Sequence, residues 1–382
     1  MVNVFFLISG FVLTQRALTL IRTQNLDKLY PSISSAIFRR AIRLYLPCII
    51  VTFFGMFLTY FGMKENPEVK EHFYLQIIDW AAACGNFVQP FHNYEREWEI
   101  VHKYEASMWT LPLELYGSVV CYLTVLAVAR ITHTVKRTAI VLVLTWFAAV
   151  QANWWSLNFL LGMLFADFMI WQGKTEKSWS TGFTAKCFWG VVFTWALYVA
   201  GLPDSRYSPS IAEGEQYDLP GFDWYYQHVP ESWKEVESGG RFWWMISGIT
   251  MTVSISQLPL LRRVFETRFC QYLGRISFML YLVHNYVFEG FGQYYKSWLT
   301  GIVDHEEVLV ETSSKTIRFA KGNSLLFVYI CFWPVMLPVL LAIAGQVTKY
   351  VDDPSITFSK WLEGKVIEDD KYEYELAPTT PM

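Results

Sequence analysis

Apolar residues fall into nine long stretches parted by polar segments: 2–21, 44–63, 109–129, 138–151, 154–171, 187–202, 242–258, 276–295 and 324–347. A helix needs about 20 mostly apolar residues to cross a bilayer. The pattern therefore predicts an all-α chain, a polytopic transmembrane helical bundle of about nine spans. The stretch 138–151 is short, because a helix of that length reaches only about 20 Å at 1.5 Å per residue. A tenth apolar segment, 73–88, is interrupted by Gln76 and Asp79. By its pattern alone it could cross, re-enter or lie in the interface.

Basic residues between the stretches set the expected orientation. Residues 15–43 carry Arg16, Arg22, Lys28, Arg39, Arg40 and Arg43 against Asp27, and 130–137 carry Arg130, Lys136 and Arg137 with no acid. Residues 172–186 add Lys174, Lys177 and Lys186, and 259–275 add Arg262, Arg263, Arg268 and Arg275. The positive-inside rule places all four in the cytosol. Segments 64–108 and 203–241 have few bases and eight acids each, and belong outside. An even number of crossings then separates 15–43 from 130–137, so 73–88 does not cross. The N-terminus is expected outside and the C-terminus inside. The organisation that follows is a transmembrane domain over 1–348, with an outer loop at 203–241, and a soluble acidic cytosolic tail over 349–382. No basic leader precedes Val2, and an odd span count starting outside predicts one further helix upstream of this sequence.

Composition narrows the class. Of 382 residues 53% are hydrophobic, 17% charged and 18% aromatic, with 17 Trp. Such Trp and Tyr enrichment suits helices anchored at lipid–water interfaces, so the chain reads as an integral, multi-pass membrane protein of the plasma membrane or an endomembrane. A net charge of −3 gives no sign of a nucleic-acid partner. The six cysteines form no CxxC pair and no histidine sits at zinc-ligand spacing. Most of the cysteines fall in apolar stretches and read there as small buried hydrophobes, and no metal site is expected.

Four stretches carry candidate chemistry. In "SSAIFRRAIRLYLP" (34–47) a helix puts Arg39, Arg40 and Arg43 on one side. Their planar forks suit phosphate oxygens, and they equally suit anchoring to anionic lipid headgroups. "SMWTLPLELYGS" (107–118) places Glu114 inside a span, where a carboxylate needs a partner or a task. Pro112 beside it is expected to free a backbone carbonyl. "LGRISFMLYLVHNYVFEG" (273–290) carries His284 in mid-span, as a base, a relay or a hydrogen-bonded strut, and Glu289 toward the outer interface. "FFLISGF" (5–11) sets Ser9 and Gly10 at mid-helix, where small residues also serve close packing. Asp167 reads as a snorkelling acid at an inner span end. His72, His92, His102, His133, His228 and His305 read as solvated, and the aromatic, acidic stretch 214–233 as either an acceptor-binding loop or an interfacial lid.

Together these stretches resemble the acyltransferase 3 family of polytopic membrane acyltransferases, and a fungal member of it. "FFLISGF" is similar to its FFxxSGF helix, and "RRAIRLYLP" to its Arg-x-x-Arg followed by proline. "WTLPLEL" is similar to its Trp-Ser/Thr-Leu-x-x-Glu, and "LGRISFMLYLVH" to its Gly-x-x-Ser-x-x-x-Tyr-Leu-x-His. The resemblance covers about residues 1–347. It implies about ten helices and acyl transfer, commonly of acetyl, from acyl-coenzyme A (acetyl-CoA) as cosubstrate, with no permanently bound cofactor. The acceptor would be a hydroxyl of a carbohydrate or small molecule. By the same resemblance Arg40 and Arg43 would meet the donor's phosphates, Ser9 and Gly10 would line its channel, and Glu114 and His284 would serve catalysis. The family's first helix, with its Arg and His, has no counterpart in this sequence. A transporter or flippase, or a catalytically inactive remnant, are the competing expectations.

Overall fold

The computed structural model describes residues 2–64, 69–89, 101–175, 182–202, 222–235, 239–310, 315–320 and 322–376. Each of the nine apolar stretches coincides with helix. In order, these are α1 (Val2–Arg22), α2 (Leu26–Tyr60), α3 (Phe73–Val88), α4 (Thr110–Val128), α5 (Thr134–Val150), α6 (Trp154–Thr175) and α7 (Phe183–Ala200). Two short helices follow, α8 (Phe222–Gln227) and α9 (Glu231–Glu235), and then α10 (Gly239–Gln257), α11 (Pro259–Phe265), α12 (Arg268–Val287) and α13 (Gln293–Ile302). A hairpin, β1 (His305–Val310) and β2 (Lys315–Ala320), precedes α14 (Asn323–Val347) and α15 (Asp353–Leu376). The hairpin is antiparallel with His305 opposite Ala320, and it is the one sheet among the described residues.

Among the described residues six helices are long and apolar enough to cross a membrane alone, or seven if α10 and α11 count as one bent span. The count falls short of nine for two physical reasons. α5 has 17 residues and reaches only about 26 Å. α12 carries Arg268, Gln271, Arg275, His284 and Asn285 among its apolar positions. α2 is helical over 35 residues, so the basic stretch 34–47 and the apolar stretch after it belong to one helix. α3, with 16 residues, lies below span length.

The helices form two compact units. The first holds residues 1–38 and 113–270, the second 39–112 and 271–382. In the first, α1 packs along α6 and α10 along α7. Gly10 sets the α1–α6 contact: a β-carbon there would collide with the backbone carbonyl of Phe159, and one on Gly162 would collide with that of Leu7. Lipid supplies no hydrophobic drive between helices, so close backbone approach of this kind holds them. The core beside it is made by Leu18 and Ile21, Tyr122 and Val125, and Leu160 and Met163. Residues 222–235, read in sequence as outer loop, fold down as a cap. Trp233 Nε1 donates to the Ala149 carbonyl at 2.9 Å and Trp243 Nε1 to the Tyr225 carbonyl at 2.6 Å. The rest of the acceptor-loop stretch, 214–221, lies outside the described residues.

In the second unit α13 and α14 share a core of Leu299, Val328, Phe332 and Met336 with Val287 of α12. A π-helical turn, Phe288–Gly292, joins α12 to α13, and a second, Thr348–Asp352, carries α14 into α15.

Candidate functional site

α12 presents His284 half-buried in the second unit. Its Nδ1 lies 2.6 Å from the Tyr281 carbonyl. A carbonyl only accepts, so Nδ1 must carry the proton. In the neutral imidazole Nε2 then holds the lone pair, and it meets no hydrogen-bond partner among the described residues. That is the tautomer of a general base.

The segment before α4 pins the same face of α12. The Tyr281 hydroxyl pairs with Thr110 Oγ1 at 2.7 Å and donates to the Ser107 carbonyl. Asn285, next to His284, donates to Glu105 Oε1 at 2.7 Å, and Tyr286 Oη donates to the Tyr104 carbonyl at 3.1 Å. Glu105 is 0% exposed. Its Oε1 also accepts from the Ser107 amide and hydroxyl. Its Oε2 faces Lys64 Nζ at 3.6 Å, an ion pair too long for a hydrogen bond. Lys64 in turn reaches Glu289 at 3.1 Å, the Tyr104 carbonyl at 3.0 Å and the face of the Tyr286 ring. Glu289 thus sits at an ion pair. Nothing local in the sequence marked Lys64 and Glu105, which lie in an acid-rich segment that reads as solvated loop.

His102 corrects a second expectation, since it is buried and not solvated. The Tyr104 amide donates to its Nδ1 at 3.2 Å, so the proton sits on Nε2, which points at Cys84 Sγ 3.5 Å away. This histidine is a donor to sulfur and cannot deprotonate the thiol. Burial, reinforced by the Lys64 charge, pushes its pKa down to about 4. Two histidines in one unit therefore carry opposite tautomers and opposite capacities. Asp79 closes the group: burial pushes its carboxyl up, but hydrogen bonds from Lys103 and Tyr104 outweigh that and hold it below the usual range.

A stability prediction follows from His102. Its folded pKa lies below the ordinary 6.5, so its contribution is complete above pH 6.5 and is lost as pH falls toward 4. The loss totals about 3 kcal/mol at about 1.4 kcal/mol per pH unit. His102→Gln, which keeps a donor toward Cys84 and cannot ionise, is expected to flatten the melting temperature against pH in that window, as read by thermal unfolding in detergent.

In the first unit Glu114 is buried on α4, and its backbone carbonyl accepts from Ser118 Oγ at 2.6 Å. Pro112 stands in the first turn of α4, where amides lack intrahelical partners anyway, so it opens no gap in the helix. Ser9 is half-buried, and Gly10 is taken up by the contact with α6. Asp167 is no snorkelling acid. Arg22 Nη2 and Nε reach its Oδ1 at 2.8 and 3.1 Å, Arg137 Nη2 reaches the same oxygen at 3.1 Å, and Thr138 donates to Oδ2 at 3.1 Å. Arg137 is 1% exposed. Breaking a buried ion pair costs about 3–5 kcal/mol because a charge is left uncompensated. Asp167→Asn is expected to lower the melting temperature strongly, and Arg137→Met added to it to recover part of the loss.

The arginines of α2 lie in the second unit. Arg39 Nε pairs with Glu363 of α15 at 3.2 Å, Arg40 is half-buried, and Arg43 is exposed. Arg275, two turns into α12, pairs with Asp353 at 2.9 Å. Glu114, Ser9 and Gly10 thus belong to one unit, and His284, Arg40 and Arg43 to the other. No group of three metal-ligating side chains occurs among the described residues.

A family profile described as an acyltransferase domain matches residues 1–348. An O-acetyltransferase, PaAT-1, of Phomopsis amygdali is 26% identical over 98% of this chain and 77% of its own length. An acyltransferase of a Phoma species is 26% identical over 93% of this chain and 78% of its own. One of Cochliobolus lunatus is 25% identical over 85% and 74%. No solved structure matches the chain.

Proposed function

Because the chain belongs to this acyltransferase family, we propose that it moves an acyl group, acetyl above all, from acyl-coenzyme A to a hydroxyl of a carbohydrate or small-molecule acceptor. It is a multi-pass membrane acyltransferase. The O-acetyltransferase among its relatives supports the acetyl group and the oxygen acceptor. The observation that carries the reading is His284, whose Nδ1–H is committed to the Tyr281 carbonyl so that Nε2 accepts.

In this reading Nε2 takes the acceptor's hydroxyl proton as the oxygen attacks the thioester carbonyl. The carbon–sulfur bond breaks, and the leaving thiolate recovers the proton from the imidazolium. Arg40 and Arg43, in the same unit as His284, hold the donor's phosphates at the cytosolic side.

The test uses the full chain, purified and returned to vesicles, with acetyl-labelled coenzyme A and a panel of hydroxyl-bearing extracts. Acceptor-dependent release of free coenzyme A, with label moving into an alkali-labile ester, is the expected result. Movement of solute across the vesicle with no coenzyme A release would support transport in its place.

A further inference from the structure

α10 ends at Gln257, Leu258 is extended, and Pro259 opens α11. The axis turns there by 101°. Proline suits the first turn of a new helix, and it also bars the old one from continuing. Spans tilt by only about 20° from the bilayer normal on average. α10 holds all but the last residue of the apolar stretch 242–258 that the sequence predicts to span, and a helix turned through this angle from its end runs near the membrane plane.

No residue of α11 is buried. At about 100° per residue, Leu260, Leu261, Val264 and Phe265 fall on one arc of about 140°, and Arg262 and Arg263 on the opposite side. Leu260 is 74% exposed, Val264 and Phe265 each 49%, and Phe269 continues the apolar surface at 58%. Arg262 is braced by Glu266 at 3.7 Å, and Arg268 follows. Seven residues offer far less than the roughly 800 Å² per partner of a specific protein interface. Their depth, by contrast, is fixed by the span from which they leave. An apolar arc facing acyl chains with arginines at headgroup level is the arrangement of an interfacial helix on an anionic leaflet.

From this geometry we infer that α11 is an in-plane helix that seats in the cytosolic leaflet and binds anionic phospholipid headgroups through Arg262, Arg263 and Arg268. The exposed apolar face is thereby covered by lipid and not by another protein. The inference stands on the first unit alone and does not depend on the catalytic reading.

The test places an environment-sensitive fluorophore on Leu260→Cys, and in a second protein on Glu266→Cys at the polar side, both with Cys187→Ser to remove an exposed thiol. Each full chain is reconstituted into vesicles of phosphatidylcholine, with and without three-tenths phosphatidylserine. Expected is several-fold protection of position 260 from iodide relative to 266, quenching by lipids brominated near the glycerol, and greater protection with phosphatidylserine. Arg262→Gln with Arg263→Gln should remove that serine-lipid increment and leave the value in pure phosphatidylcholine unchanged. Equal iodide access at 260 and 266 overturns the seat in lipid. Protection that ignores phosphatidylserine, or an increment that survives the double substitution, overturns the headgroup site.

Discussion

Arg40→Ala with Arg43→Ala is expected to abolish acyl transfer while the protein still inserts and melts as the parent does. Each charge-assisted hydrogen bond is worth about 1.5–3 kcal/mol. Loss of two guanidinium–phosphate contacts therefore removes about 3–6 kcal/mol, or about a hundred- to ten-thousandfold in kcat/KM for the donor at about 1.4 kcal/mol per decade. Arg40→Lys with Arg43→Lys keeps the charges and loses the planar forks, so it should recover only part. Glu363→Gln probes the same surface from the other side. Glu363 sits on Arg39, one helical turn before Arg43, and a phosphate approaching that face competes with its carboxylate. Its removal should lower the donor KM. If the arginines serve lipid anchoring instead, the alanine variant loses membrane insertion or orientation, and donor KM is unmoved by Glu363→Gln. Initial rates against acetyl-coenzyme A, with sedimentation in membranes as the folding control, separate the two.

Elements of this fold were legible because hydropathy is a local property. Nine apolar stretches became helices, and the intramembrane polar residues Glu114 and His284 stood out against their neighbours. What the sequence hid is tertiary. Asp167 sits at a span end by any window average, yet its partners Arg22 and Arg137 lie 145 and 30 residues away. Together they make it a buried hub. Glu105 and His102 belong to a segment whose acids read as solvated loop. Their burial comes from Lys64, Asn285 and Cys84, contributed by three other places in the chain. The tautomers of His102 and His284 were equally hidden, for each is fixed by one backbone group, an amide in one case and a carbonyl in the other. The turn at Leu258–Pro259 had a visible cause in the proline.

His284→Asn is the substitution that separates a base from a strut. The asparagine amide stands where Nδ1 stands in the imidazole, so it can keep donating to the Tyr281 carbonyl, and the helix turn held by Asn285 on Glu105 is left in place. What disappears is the lone pair on Nε2. A general base contributes about a hundred- to ten-thousandfold, so kcat should fall by that amount with the donor KM and the melting temperature nearly unchanged. His284→Gln carries an amide out to the Nε2 position but gives up the bond to Tyr281, and should be as inactive and less stable. A strut predicts instead that His284→Asn stays close to parental activity and His284→Gln is impaired through folding. Single-turnover transfer of labelled acetyl, measured beside thermal unfolding for both variants, decides between them. Full activity in His284→Asn would move the search for the proton acceptor away from α12.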